Sequence, residues 1–300
     1  MGAQLRVYRR RIRSVQSTKK ITKAMELIAA SRIARAQQRV RSSRPYAEEI
    51  TRVIRAVTSQ SSIRHPLTSE RPEITRSGLL VITSDRGLAG AYNANALREA
   101  DRQLDQLQTD GKQPVLFVVG RKGNSYYRFR GRIPAASFSG FSEQPDLDSA
   151  KAVADALIDA FSAEHGEGID DITIVFTEFR SAITQRARAV RILPLPPTEE
   201  EEARPSGQPP PVYDFEPDAE GVLDALLPRY IVSRVFTSLL ASAASESAAR
   251  RRAMKSASDN ADDLIKILTR LANEARQGEI TQEISEIVGG ANALAAASGG

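Results

Sequence analysis

Apolar residues along the first sixty positions recur at spacings of three and four: Leu5, Tyr8, Ile12, Val15, then Ile21, Met25, Ile28, then Ile33, Ala36, Val40. That period predicts one long helix over roughly 3–58, with slips between the groups that let the stripe drift around it. Pro45 marks a place for a kink near 44, and the pattern resumes at Ile50, Val53 and Val57. The last region, about 217–294, reads as helical too. "DFEPDAEGVLDALL" puts acids in its first turn, and Pro228 marks either a kink or the end of a short first helix. From Met254 the apolar positions Ala257, Ala261, Leu264, Leu268, Leu271 and Ala275 follow at alternating steps of three and four, a heptad seam. After a one-residue slip it resumes at Ile280, Ile284, Ile287, Ala291 and Leu294. "LLASAASESAAR" (239–250) is rich in Ala and Ser, which permits close helix approach.

Between these helices the period changes. "GLLVIT" (78–83), "PVLFVVG" (114–120) and "DITIVFTEF" (171–179) are continuous apolar runs of strand length, as expected where a sheet is covered on both faces. "ARAVRILPL" (187–195) reads as a fourth strand. "AYNANALREADRQLDQLQ" and "DLDSAKAVADALIDAFSA" are amphipathic helices, and "YYRFRGRIPAASF" reads as a helix followed by a short strand. Strand–helix alternation predicts a small α/β layered domain. The expected divisions are an N-terminal helix over 1–60, an α/β domain over 75–195, a Pro/Glu-rich exposed segment over 196–216 and a C-terminal helix over 217–300.

At 1.5 Å per residue the first helix is roughly 80 Å long and the last roughly 100 Å, against a radius of gyration of about 19 Å for a compact chain of this size. Neither fits inside such a globule. The simplest expectation is that they pair as a long antiparallel coiled coil, with the longer C-terminal helix projecting beyond its partner.

Composition sharpens this picture. Aromatic residues are 5% of the chain and Trp is absent, thin for one large core and suited to Ala/Leu/Ile helix packing. With no Cys, disulfides, thiolate metal sites and Cys nucleophiles are excluded. Only His65 and His165 are present, which disfavours a His metal site or triad. No apolar run reaches 18 residues, so no spanning helix is expected. The Arg-rich start resembles a transit peptide in composition, but the helical pattern continues well past it and reads as mature protein.

Charge is unevenly spread. Residues 1–44 carry thirteen Lys or Arg against the single Glu26, a local +12; with +5 for the whole chain, the remainder is −7. A basic arm implies an acidic partner. Three readings stay open for it: a solvated face, nucleic-acid binding, or docking against an acidic protein surface. The second lacks aromatic interleaving and any zinc finger.

Enzymatic readings are weak. "SDRGLAGAYN" (84–93) sets Gly87 and Gly90 between a strand and a helix, where amides can hold an anion. However, neither G-x-G-x-x-G nor G-x-x-x-x-G-K-[ST] occurs, so a tight turn is the simpler reading and a Rossmann-like enzyme the weaker one. Glu178 stands near a strand end without a partner acid or base. The Glu199–Glu202 run reads as a solvated loop.

Three stretches, "RIRSVQSTKKITKAMELIAASRIARAQ", "SDRGLAGAYN" and "RQGEITQEISEIVGGANAL", closely resemble the gamma-subunit family of F-type ATP synthases, in the right order and over nearly the whole chain. The resemblance implies a non-catalytic rotor shaft without a cofactor of its own. Its terminal helices would form the antiparallel coiled coil inside the alpha–beta hexamer. Its Rossmann-like α/β domain would face the epsilon subunit and the membrane ring of c subunits. Proton-driven rotation of that ring would turn the shaft and drive the catalytic sites through their conformations, in a bacterial complex on the cytoplasmic side of the cell membrane. By matching position, Arg276 and Gln277 would contact a catalytic-subunit loop, with Thr281 on the same helix. Lys20, Met25 and Arg250 would meet the levers of the catalytic subunits. Tyr213 and Glu216 would lie in the foot near the ring. The usual family form of the turn has Cys where this chain has Ala89. The alternative carried beside this reading is a nucleic-acid-binding coiled-coil protein.

Overall fold

In the computed structural model, which describes residues 2–60, 74–163, 167–195 and 218–298, the terminal regions are two long helices. α1 runs over Gly2–Gln60 and α5 over Ala219–Ser298. Both pass through a proline without interruption. Pro45 is exposed, and so is Arg41, whose carbonyl loses its intrahelical donor and can turn to water. Between them lie β1 (Arg76–Ile82), α2 (Tyr92–Thr109), β2 (Gln113–Val119), α3 (Arg121–Phe129), β3 (Ala136–Phe138), α4 (Leu147–Ser162), β4 (Asp171–Phe179) and β5 (Gln185–Leu193). The Pro/Glu-rich segment 196–216 lies outside the described residues, as do His65 and His165.

The chain divides into two units, one of residues 29–250 and one of residues 1–28 with 251–300. The first holds a five-stranded sheet in the order β3-β2-β1-β4-β5. All neighbouring strands are parallel except β4 and β5. β1 shows why its sequence is apolar throughout. Leu79 and Val81 point to one face, among Leu97, Leu104 and Tyr127 of α2 and α3. Leu80 and Ile82 point to the other, among Val153 and Leu157 of α4, Ile54 and Val57 of α1, and Ile231 and Val235 of α5. With both faces covered, alternation disappears. Gly120, at φ 97°, makes the β2–α3 turn; a Cβ there would sit 2.4 Å from the Thr83 carbonyl.

The Ala/Ser-rich part of α5 is buried on every side in this unit, over 242–250. Its serines are not idle: Ser242 Oγ accepts the Thr177 amide at 3.2 Å, and Ser245 Oγ donates to the Thr177 carbonyl at 3.0 Å. Small side chains let helix and sheet approach, and their hydroxyls tie the two together.

The second unit pairs the first part of α1 with the last part of α5. Thr22 contacts Ser258 and Lys19 contacts Asp262, so numbers rise on one helix as they fall on the other. The pairing is antiparallel, as expected.

Candidate functional site

On α1 in the second unit the inward positions are Leu5, Tyr8, Ile12, Val15, Lys19, Thr22 and Glu26, at steps of three and four without a slip. The drifting stripe expected through Ile21, Met25 and Ile28 is not what packs. Polar residues keep the heptad phase because α5 answers Lys19 and Thr22, and α1 itself answers Glu26. The Thr22 and Ser258 hydroxyls are 2.7 Å apart and buried; Lys19 Nζ is 2.5 Å from Asp262 Oδ1; Lys23 lies 3.0 Å from Glu26. α5 shows the same substitution. Its seam runs through Met254, Ser258, Ala261, Ile265, Leu268 and Ala272, so Leu264 faces out and Ile265 takes its place.

That phase turns large apolar groups outward: Ile21 is 59% exposed, Leu27 62% and Ile28 52%. Arg6, Arg13 and Lys20 repeat every seven residues in line with Leu27, beside a second column of Val7, Ser14, Ile21 and Ile28. The outer face of α1 is therefore a basic column next to an apolar one. Lys20 is exposed on it, and Met25 is half-buried at its edge.

On α5 the register of those contacts brings the start of α1 beside residues near 278, and from Ile280 to Asn292 every side chain is exposed. Ile280, Ile284 and Ile287 make one apolar stripe with Val288 beside it. Arg276, Gln277 and Thr281 are exposed where the stripe begins. Their side chains point to solvent on a regular helix, set by main-chain bonding and by Ser285, whose hydroxyl donates to the Thr281 carbonyl at 2.9 Å. The Leu294 side chain is outside the described ones.

Arg250, expected at a partner surface, is instead interior to the α/β unit. Its side chain is 5% exposed, with Glu246 Oε1 at 2.6 Å, the Gly87 carbonyl at 3.2 Å and Glu143 Oε1 at 3.1 Å. A guanidinium so enclosed has its charge met by two carboxylates and a carbonyl of the same unit. Burial pushes the Glu246 carboxyl above its ordinary range, although Arg250 opposes the shift. Burial likewise raises the Tyr92 hydroxyl, with Glu246 adding to it. Tyr213 and Glu216 lie outside the described residues.

The Ser84–Asn93 turn is a structural knot. Asp85 accepts the amides of Gly140 at 2.7 Å, Ser142 at 3.1 Å and Arg121, the first residue of α3, at 3.2 Å. A carboxylate of the turn thus sits at the start of α3 and ties it to the 140–142 loop, and the turn serves as a structural junction. Ser84 and Asn93 bond each other across the turn, and Leu88 and Gly90 both have positive φ. Glu178 is tied to Arg180 at 3.0 Å and Arg188 at 3.4 Å on the surface. Among the described residues no cluster of three or more His, Cys, Asp or Glu could hold a metal ion, and no helix is long and apolar enough to cross a membrane.

Comparison with known proteins agrees with this architecture. A family profile described as ATP synthase matches residues 4–294. The ATP synthase gamma chain of Parafrankia sp. is 66% identical over 98% of this chain and 99% of its own length. That of Frankia casuarinae is 65% identical over 98% and 99%. Among solved structures, a chain of the Euglena gracilis mitochondrial ATP synthase OSCP/F1/c-ring assembly matches 99% of this chain and 97% of its own, with a TM-score of 0.66 at 18% identity. A chain of the Tetrahymena thermophila mitochondrial ATP synthase central stalk and c-ring matches 79% and 99%, with a TM-score of 0.56 at 25% identity.

Proposed function

This chain belongs to the ATP synthase gamma-chain family, and from that premise we propose that its helices and its α/β unit divide the work of a central rotor shaft. The chain couples rotation of the membrane ring to conformational change at the catalytic sites of the alpha–beta hexamer, and is itself non-catalytic. The observation that carries the division of work is the antiparallel pair of α1 and α5, whose charged and apolar groups face outward together. A shaft turning in a sleeve needs contacts that form and break at every angle. Exposed ionic contacts of about 0–1 kcal/mol each suit that better than one deep anchor.

On this reading Lys20 and Met25, on the outer face of α1, and Arg276, Gln277 and Thr281, at the start of the α5 stripe, contact the alpha and beta subunits. Tyr213 and Glu216 belong to the foot toward the epsilon subunit and the c-ring. The chain is then peripheral to the cell membrane on its cytoplasmic side, held there through the complex. Arg250 acts from within, by holding the α/β unit together. The basic arm finds its acidic partner in the catalytic subunits; no observation favours nucleic acid.

The test is reconstitution with the alpha and beta subunits of the same organism. The chain alone should show no ATPase activity, and a probe attached to the α/β unit of the assembled complex should rotate when ATP is added. Full coupled synthesis by a complex whose chain lacks residues 1–44 would refute the shaft reading. Retention of wild-type assembly and rate after Arg276→Ala with Gln277→Ala would refute the assignment of those contacts.

A further inference from the structure

In the α/β unit one carboxylate reaches both terminal helices at once. Glu143, between β3 and α4, pairs with Arg32 of α1 through Oε2 and with Arg250 of α5 through Oε1 at 3.1 Å; Arg86 of the Ser84–Asn93 turn lies 4.0 Å from Oε2. Glu143 is 15% exposed, Arg32 24% and Arg250 5%. The next residues reinforce the contact, since Arg39 Nη1 donates to the Pro145 carbonyl at 3.4 Å.

What surrounds this contact gives it weight. Between Ala29 and Ala36, α1 buries only Ala29, Ile33 and Ala36, and the Ala/Ser-rich stretch of α5 in the same unit buries Ala243, Ala244 and Ala248. Ile33 is the one large apolar residue among them; the α1 residues that join the main core, Ile50, Ile54 and Val57, begin some eighteen residues beyond Arg32, roughly 27 Å along the helix. Burial of small apolar groups is non-directional and offers little resistance to rotation or sliding. Charge-assisted hydrogen bonds fix angle as well as distance. α5 has further ties to the sheet through Ser242 and Ser245, whereas Arg32 and Arg39 tie α1 at this level to Glu143 and Pro145.

We propose that Glu143 is a positioning residue of the rotor, a clamp that fixes α1 to α5 and to the α/β unit so that torque entering the sheet reaches both helices. The proposal rests on the shaft reading above.

The experiment uses the assembled alpha–beta–chain complex with the hexamer immobilised. A bead is attached at a single cysteine replacing the exposed Lys151; the chain has no other Cys. The angular variance of the bead during pauses measures rotor stiffness. Glu143→Ala and Glu143→Gln should raise that variance about twofold while unloaded ATP turnover stays near that of the parent, and Glu143→Asp should restore part of the stiffness. Unchanged variance overturns the clamp, and so does a lower melting temperature with unchanged variance, since that is a merely structural role. If Glu143→Ala prevents assembly, Arg32→Gln removes one arm and leaves Arg250 paired with Glu246; its variance decides in the same way. Absence of rotation in the parent complex would instead sink the shaft reading itself.

Discussion

Along α1 the inward positions keep one heptad phase, but the chemistry they bury changes from apolar in the α/β unit to polar over Lys19–Glu26. In the α/β unit the inward positions are Ile33, Ile50, Ile54 and Val57, packed with the sheet and α5. In the coiled-coil unit the same phase puts Lys19, Thr22 and Glu26 inside and leaves Ile21, Leu27 and Ile28 outside. Hydrophobic burial holds the first stretch. The second, over Lys19–Ile28, keeps Ile21, Leu27 and Ile28 facing away from α5, which is costly in a free chain and useful where a surrounding subunit covers them. The lesson is that helix phase and burial chemistry are separate choices, and that a mismatch between them marks a surface meant for something else.

The largest expected effect separates the two stretches by stability. Ile54 is fully buried between the sheet and α5. Ile54→Ala should destabilise the α/β unit by about 2–5 kcal/mol in denaturant unfolding of the chain. A loss below about 1 kcal/mol, within reach of an ordinary surface substitution, would break the comparison.

Next is a pH effect confined to the α/β unit. Glu246 is buried with Arg250, Glu143, Ser142 and Tyr92 about it, and burial makes its carboxyl harder to ionise than its ordinary 4.5. A folded-state value above the unfolded one means that folding takes up a proton. The contribution therefore favours folding at low pH and is lost as pH rises from 4.5 through the raised value. Glu246→Gln, which cannot ionise, should flatten the fall in melting temperature over that window. An unchanged slope would show that the group ionises as it does in the unfolded chain.

A smaller effect probes the polar seam. Thr22→Val leaves the Ser258 hydroxyl without its partner and should cost about 1–2 kcal/mol, whereas Thr22→Val with Ser258→Ala should recover most of it. Additive losses in the double variant would show that the hydroxyls do not pair.

These residues also show what was legible in the sequence. β1, β2 and β4 stood out because strands covered on both faces are apolar without alternation. α1 and α5 stood out by period, and so did their antiparallel pairing by length. The seam between Val15 and Ala29 was not legible. Its phase is kept by Lys19, Thr22 and Glu26, and a polar seam residue is recognisable only beside its partner, here Ser258 or Asp262. Following the apolar Ile21, Met25 and Ile28 instead created slips that the structure lacks, and the same bias chose Leu264 over Ile265. Arg250 was placed by resemblance at a partner surface, while its local neighbours Glu246 and, from far along the chain, Glu143 enclose it. Only Glu246, four residues earlier on the same helix, was a signal available in advance.

The smallest effect on stability is the sharpest test of the outward face. Ile21 and Ile28 stand seven residues apart in one exposed column of α1. Their replacement by Ala removes little buried area in the chain alone, so unfolding should shift by less than about 0.5 kcal/mol. If the alpha–beta hexamer covers this column, each loss removes apolar contact there, and assembly affinity should fall by roughly fivefold to thirtyfold, the equivalent of about 1–2 kcal/mol. Titration of the hexamer with the variant chain measures this directly. A pair of substitutions that is silent in both assays would mean that these side chains face solvent in the complex as well. The mismatch between phase and chemistry would then have no function behind it. A variant that instead unfolds as readily as Ile54→Ala would place the column inside the fold and reverse the comparison.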